Sequence, residues 1–119
     1  MEARMTLSNM AVVYDKLGQC QKALEHYEQA VRLDPQNLNL QKNLADFYFV
    51  ESGRVEDALA IYNKVLEADF GDVEALMALG LICVSLNRPE DARYFYNRVL
   101  ENEPWNVDAR RQLENLYPN

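Results

Sequence analysis

Apolar and small residues recur along this chain at helical spacing, in segments separated by glycine, asparagine or proline. Leu7, Met10, Ala11 and Tyr14 mark one face of a first helix, predicted over about Met5 to Leu17 and ended by Gly18. A second stripe, Ala23, Tyr27, Ala30 and Val31, with Glu25 and Glu28 off it, predicts a second helix that stops at Asp34-Pro35. Their short connection makes the pair an antiparallel hairpin, and small Ala11 and Ala23 let the two backbones approach closely.

The pattern then restarts. Leu44, Ala45 and Tyr48 follow Met10, Ala11 and Tyr14 at 34 residues, and the stretch Gly53 to Glu67 repeats the second helix, with Ala58 lying 35 residues after Ala23. First-helix marks are in register while second-helix marks are shifted, so one residue is inserted between Tyr48 and Gly53, predicting a longer first helix or a looser turn. A third pass gives Leu76, Leu79, Gly80 and Cys83, then Ala92, Tyr96, Val99 and Leu100, with Asn87 in the glycine's place and Ala92 34 residues after Ala58. Asn87 to Glu90 reads as an N-cap with a glutamate reaching back, and Pro89 suits the first helical turn. Val107 to Tyr117 opens like a fourth repeat, yet Arg110, Arg111, Gln112, Glu114 and Asn115 make it polar, as a capping helix must be. The expected organisation is a single domain over 1–119, with repeats at about 4–37, 38–72 and 73–106 and a capping helix at about 107–117. A period of 34 to 35 residues marks stacked helical repeats.

These residues resemble the tetratricopeptide repeat, in which a large residue, Leu-Gly or Leu-Ala, Tyr, Gly, Ala, an aromatic, Ala and Pro follow at set offsets. The first repeat supplies Leu7, Met10-Ala11, Tyr14, Gly18, Ala23, Tyr27, Ala30 and Pro35; the third supplies Leu76, Leu79-Gly80, Cys83, Asn87, Ala92, Tyr96, Val99 and Pro104. The middle repeat departs most, with Gln41 where a large apolar residue belongs and Phe70 in place of proline. The resemblance implies an all-α, right-handed superhelical array of antiparallel helix hairpins whose first helices line a concave groove. It also implies a non-catalytic scaffold that binds a peptide or protein segment in that groove.

Carried over onto this chain, the groove-facing positions are Met5, Ser8, Asn9 and Val12; Asn39, Lys42, Asn43 and Asp46; and Glu74, Met77, Ala78 and Leu81, bordered by Phe49 and Val84. The candidate partner-binding residues are Asn9, Val12, Lys42, Asn43, Asp46, Met77 and Leu81. Asparagine amides offer a donor and an acceptor to an extended backbone, and Met77 and Leu81 offer an apolar end. Family members that bind chaperone C-terminal carboxylates use lysine and asparagine in the first repeat, asparagine in the second, and lysine and arginine in the third; only Asn43 matches, and Ser8, Val12, Glu74 and Ala78 stand at the other positions, so the cationic clamp is absent. That disfavours a co-chaperone role of this kind. The alternative reading is a self-associating repeat segment, or a piece of a longer repeat protein, joined through the N-terminal flank, which Met1 to Arg4 are too few to cover.

With 49% hydrophobic and 26% charged residues, the 119-residue chain has enough apolar content for a packed core and is not expected to be disordered. Its net charge of -7 argues against nucleic acid or an anionic membrane and for a basic or apolar partner. No apolar run reaches the roughly 18 residues of a membrane span, and no signal-peptide core is evident. Cys20 and Cys83, both expected on buried helix faces, are too few for a disulfide framework and suit a reducing, cytoplasmic setting.

Catalysis has little to stand on. His26, expected to face solvent, has no nucleophile and carboxylate arranged around it. Cys20 and His26 fall on different helix faces, so neither a metal nor another cofactor is expected. The pairs Glu56-Asp57 and Glu90-Asp91 recur at helix starts, where they complement the helix dipole. Tyr27, Tyr62 and Tyr96 recur at equivalent positions and read as core.

Overall fold

A computed structural model of the chain describes the backbone of residues 3–116 and the side chains of residues 9–116. The side chains of Met5, Leu7 and Ser8, and all of Tyr117, lie outside the described residues. Among the described residues there are seven α-helices and no strand: α1 (Ala3–Lys16), α2 (Cys20–Leu33), α3 (Leu38–Val50), α4 (Val55–Ala68), α5 (Val73–Ser85), α6 (Pro89–Asn102) and α7 (Val107–Leu116). The fold is all-α and built from helical hairpins. The chain divides into two compact units, Met1–Ile61 and Tyr62–Asn119.

Turns inside the hairpins follow one design. After α1, Gly18 adopts a left-handed conformation with φ 77°. Its N–H donates to Asp15 and that of Gln19 to Tyr14, the paired bonds of a Schellman ending. After α5 the same pair runs from Asn87 to Val84 and from Arg88 to Cys83. Asn87 has φ 60°, one of the few non-glycine residues that enter this region at modest cost. It therefore ends α5. The expectation that Asn87 caps α6 is corrected: the residue before α6 is Arg88, whose side chain makes no capping bond, while Pro89 does occupy the first turn. In the α3–α4 turn the bond to Tyr48 comes from Arg54, six residues on instead of five, and Ser52 bonds back to Phe47. The inserted residue thus lengthens the turn and leaves α3 no longer than α5.

Connections between hairpins are capped by side chains. Asn37, Asp72 and Asn106 each accept a bond from the backbone N–H three residues on, at Leu40, Ala75 and Ala109. Each repeat-ending turn is also held by a side chain donating to a backbone carbonyl: Gln41 to Pro35, Arg98 to Phe70 and Arg110 to Pro104. Gln41 and Phe70, which depart from the family pattern, thereby gain a role. The Arg98 guanidinium also lies 4.0 Å from the Phe70 ring centroid.

In the first unit α2 packs on both α1 and α3. Ala11 and Ala23 are fully buried where the backbones come together, and the Tyr48 hydroxyl donates to Glu28 across α2 and α3 at 2.7 Å. In the second unit α6 packs between α5 and α7. Leu76, Val99 and Ala109 form one buried cluster, supported by Leu66, Val73, Met77, Phe95 and Leu100. Cys83, Ala92 and Tyr96 form another, over which α7 lays Leu113 and Leu116. The outer positions of α7, Arg110, Arg111, Glu114 and Asn115, are exposed. Two expectations about reactive side chains are corrected. Cys20 is exposed, because it opens α2 directly after the turn, ahead of the buried stripe that starts at Ala23. His26 is half-buried, its ring 5.0 Å from that of Tyr14 and its Nδ1–H donating to the Lys22 carbonyl.

Candidate functional site

Helical spacing places Val12 and Asp15 on one side of α1, and Asn43, Asp46, Phe47 and Val50 on one side of α3. These six, with Tyr27 of α2 and Glu51 at the end of α3, line a cleft of about 240 Å³. Its floor is aromatic: the Tyr27 and Phe47 rings lie 5.3 Å apart, tilted by 43°. Three carboxylates, Asp15, Asp46 and Glu51, belong to the lining, and no lysine or arginine does among the described residues. Burial pushes the Tyr27 hydroxyl above its usual pKa, and Asp15, Asp46 and Glu51 push it further, as a concentrated negative potential does. The Cys20 sulfur stands beside this rim, within 4.8 Å of a carboxylate oxygen of Asp15 and of Glu51, and those two oxygens also lie within 4.8 Å of each other.

The seven residues singled out from the sequence separate. Val12, Asn43 and Asp46 come together in the cleft. Lys42, expected on an open face, is only 8% exposed and belongs to the buried side of α3. Asn9 lines a different surface cleft with Met10, Val13 and Tyr14, of about 340 Å³. Met77 is half-buried and packs against both clusters of the second unit, and Leu81 of the same unit is exposed. Sequence reading missed Asp15, Phe47, Val50 and Glu51. The signal for three of them was present: Asp15 follows Val12 by three, and Phe47 and Val50 follow Asn43 by four and seven, all on one helical face.

What the arrangement offers chemically is a small apolar hole with an acidic mouth. The described lining residues include no histidine, serine, threonine or cysteine.

Comparison with known proteins agrees with this architecture. The tetratricopeptide-repeat family matches the chain over residues 16–82 and again over 49–107. The transcription factor tau 131 kDa subunit of Saccharomyces cerevisiae is 32% identical over 68 residues, 57% of this chain and 6% of that protein. The photosystem I assembly protein Ycf3 of Rippkaea orientalis is 36% identical over 67 residues, 51% of this chain and 39% of that protein. The chain thus spans well under half the length of these curated relatives. Among solved structures, the first TPR of Spaghetti (RPAP3), bound to the HSP90 peptide SRMEEVD, superposes with a TM-score of 0.83 at 27% identity. That likeness covers 96% of this chain and 90% of the other. The repeat marks, the hairpin turns and these matches converge: the chain is a protein-interaction module and belongs to the tetratricopeptide-repeat family.

Proposed function

We propose that this chain captures an extended segment of a partner protein along its first helices, without catalysing a reaction on it. The observation that carries this reading is the cleft in which Val12, Asn43 and Asp46 meet. Asn43 is exposed there and offers its amide to a peptide backbone, while Val12, Phe47 and Val50 offer apolar surface. The partner is basic or apolar, since the chain carries a net charge of -7 and the charged residues among the described cleft lining, Asp15, Asp46 and Glu51, are all negative. Nucleic acid and anionic membranes are poor partners for the same reason, and no helix among the described residues is long and apolar enough to cross a membrane. We place the chain in the cytoplasm on its free cysteines. The acidic peptide in the RPAP3 structure is a poor guide to the ligand here. Ser8, Val12, Glu74 and Ala78 stand where chaperone-tail binders carry the lysine and asparagine of the first repeat and the lysine and arginine of the third.

A pull-down from native lysate with the wild type beside a Val12→Lys, Asn43→Ala double variant tests this. A protein retained by the wild type and lost from the variant, with helical content unchanged, supports capture in the cleft. Equal retention by both refutes it.

A second reading has its own observation. Met10 and Val13 lie exposed along one side of α1, and Leu17 lies exposed just after it, beside the cleft lined by Asn9, Met10, Val13 and Tyr14. Such a stripe suits stacking on another copy or on further repeats of a longer protein. Light scattering across concentration reads it: association that Val13→Asp abolishes supports stacking, and a strict monomer at high concentration rules out self-stacking.

A further inference from the structure

We propose that the acidic cleft of the first unit is a receptor for one arginine side chain of the captured segment. This rests on the capture reading and names its anchor. The volume, about 240 Å³, lies below the roughly 300 Å³ at which small-molecule pockets begin, which suits a single side chain. Long cationic side chains bury their methylenes on apolar surface and leave the charge at the rim. Val12, Phe47 and Val50 provide that surface, and Asp15 and Glu51 the rim. Asp46 is engaged within the protein, so the charge recognition rests on the other two.

Geometry favours guanidinium over ammonium. Carboxylate oxygens of Asp15 and Glu51 lie within 4.8 Å of each other, a spacing that one planar fork with five N–H donors can bridge. The same plane stacks on aromatic rings. This chain already uses the combination on itself. Arg54 places its guanidinium 4.3 Å from the Tyr48 ring centroid and donates through Nε to Asp57 at 2.7 Å. In the cleft the Asp15 and Glu51 carboxylates stand at the rim, the Tyr27 and Phe47 rings lie beneath the stem of the side chain, and none of the described lining residues is an arginine.

The test needs no partner protein. Nα-acetyl-arginine N-methylamide is titrated into the ¹⁵N-labelled full chain, followed by amide shifts, with EDTA present so that Asp15, Cys20 and Glu51 collect no divalent cation. Saturable shifts are expected at Val12, Asn43, Phe47 and Val50. Replacing arginine by the isosteric, neutral citrulline should weaken binding at least threefold, and Asp15→Asn and Glu51→Gln should each weaken it about threefold, as partly exposed ion pairs do. Higher salt should weaken it further. Citrulline or norleucine analogues that bind as well as arginine would overturn the proposal. So would arginine binding that persists in the Asp15→Asn, Glu51→Gln double variant. If those variants fail to fold, the citrulline comparison on the wild type still decides. A partner lost from the Val12→Lys, Asn43→Ala variant without any arginine response refutes the anchor while leaving capture standing. An arginine response with no partner lost supports the receptor and refutes capture.

Discussion

At the scale of single residues, Gly80 shows how the repeat is adjusted side chain by side chain. Its equivalents in the first two repeats are Ala11 and Ala45, both fully buried. A Cβ at Gly80 would lie 2.5 Å from the Tyr96 ring, so only glycine lets α5 meet that ring. Gly80→Ala is therefore expected to lower stability by about 1–3 kcal/mol through overpacking, read from urea unfolding; an unchanged midpoint would show that the ring has room to move. Tyr96 carries a second consequence. Its hydroxyl is buried with no hydrogen-bond partner among the described residues, and burial first, then Cys83, pushes its pKa up to about 12. Unfolded tyrosine titrates near 10, so the folded state holds this proton more tightly. The stability from that preference is present below pH 10 and is lost as pH rises through 12. Tyr96→Phe should match or exceed the wild type at neutral pH, since an unpaired polar atom is removed, and should lose less stability between pH 10 and 12. Some slope remains, because Tyr48 is also pushed up to about 12, by burial and by its bond to Glu28.

At the scale of elements, the repeat is punctuated by two kinds of cap. Left-handed residues Gly18, Gly53 and Asn87 end the first helices, and side-chain caps Asn37, Asp72 and Asn106 start the next ones. The caps recur at 35 and 34 residues, the same intervals that separate Ala23, Ala58 and Ala92. A cap bond satisfies one of the helix N–H groups that have no partner within the helix. Asp72→Ala should cost about 1 kcal/mol, measured by thermal unfolding, and Arg88→Ala should cost much less because Arg88 makes no cap bond. Sequence reading took Asn87 for an N-cap because asparagine serves both ends of a helix. Only its backbone angle separates the two roles.

For the molecule as a whole, charge sets behaviour in solution. At neutral pH the net charge of -7 opposes association between copies, and the pI near 4.6 places the point of least repulsion in mild acid. Light scattering on a pH series is expected to show association rising as pH falls toward 4.6 and reversing on return to neutrality. Association that is flat across this range would mean that net charge does not govern it. The same series separates non-specific association from stacking through α1, because Val13→Asp should suppress stacking at every pH.

The sequence by itself determined the helical hairpins, their period, the inserted residue after Tyr48 and the core positions Ala23, Tyr27, Ala58, Tyr62, Ala92 and Tyr96. It could do so because each repeat must bury the same face against its neighbours, which forces the same small and aromatic residues back at fixed intervals. Tertiary structure decided what each repeat does not share. That Lys42 turns inward, that Asn9 leaves the cleft, and that Asp15, Glu51 and Cys20 converge from three separate segments depends on the distances between helices. The acidic mouth over Tyr27 is such a feature: residues far apart along the chain become one site only when α1, α2 and α3 pack.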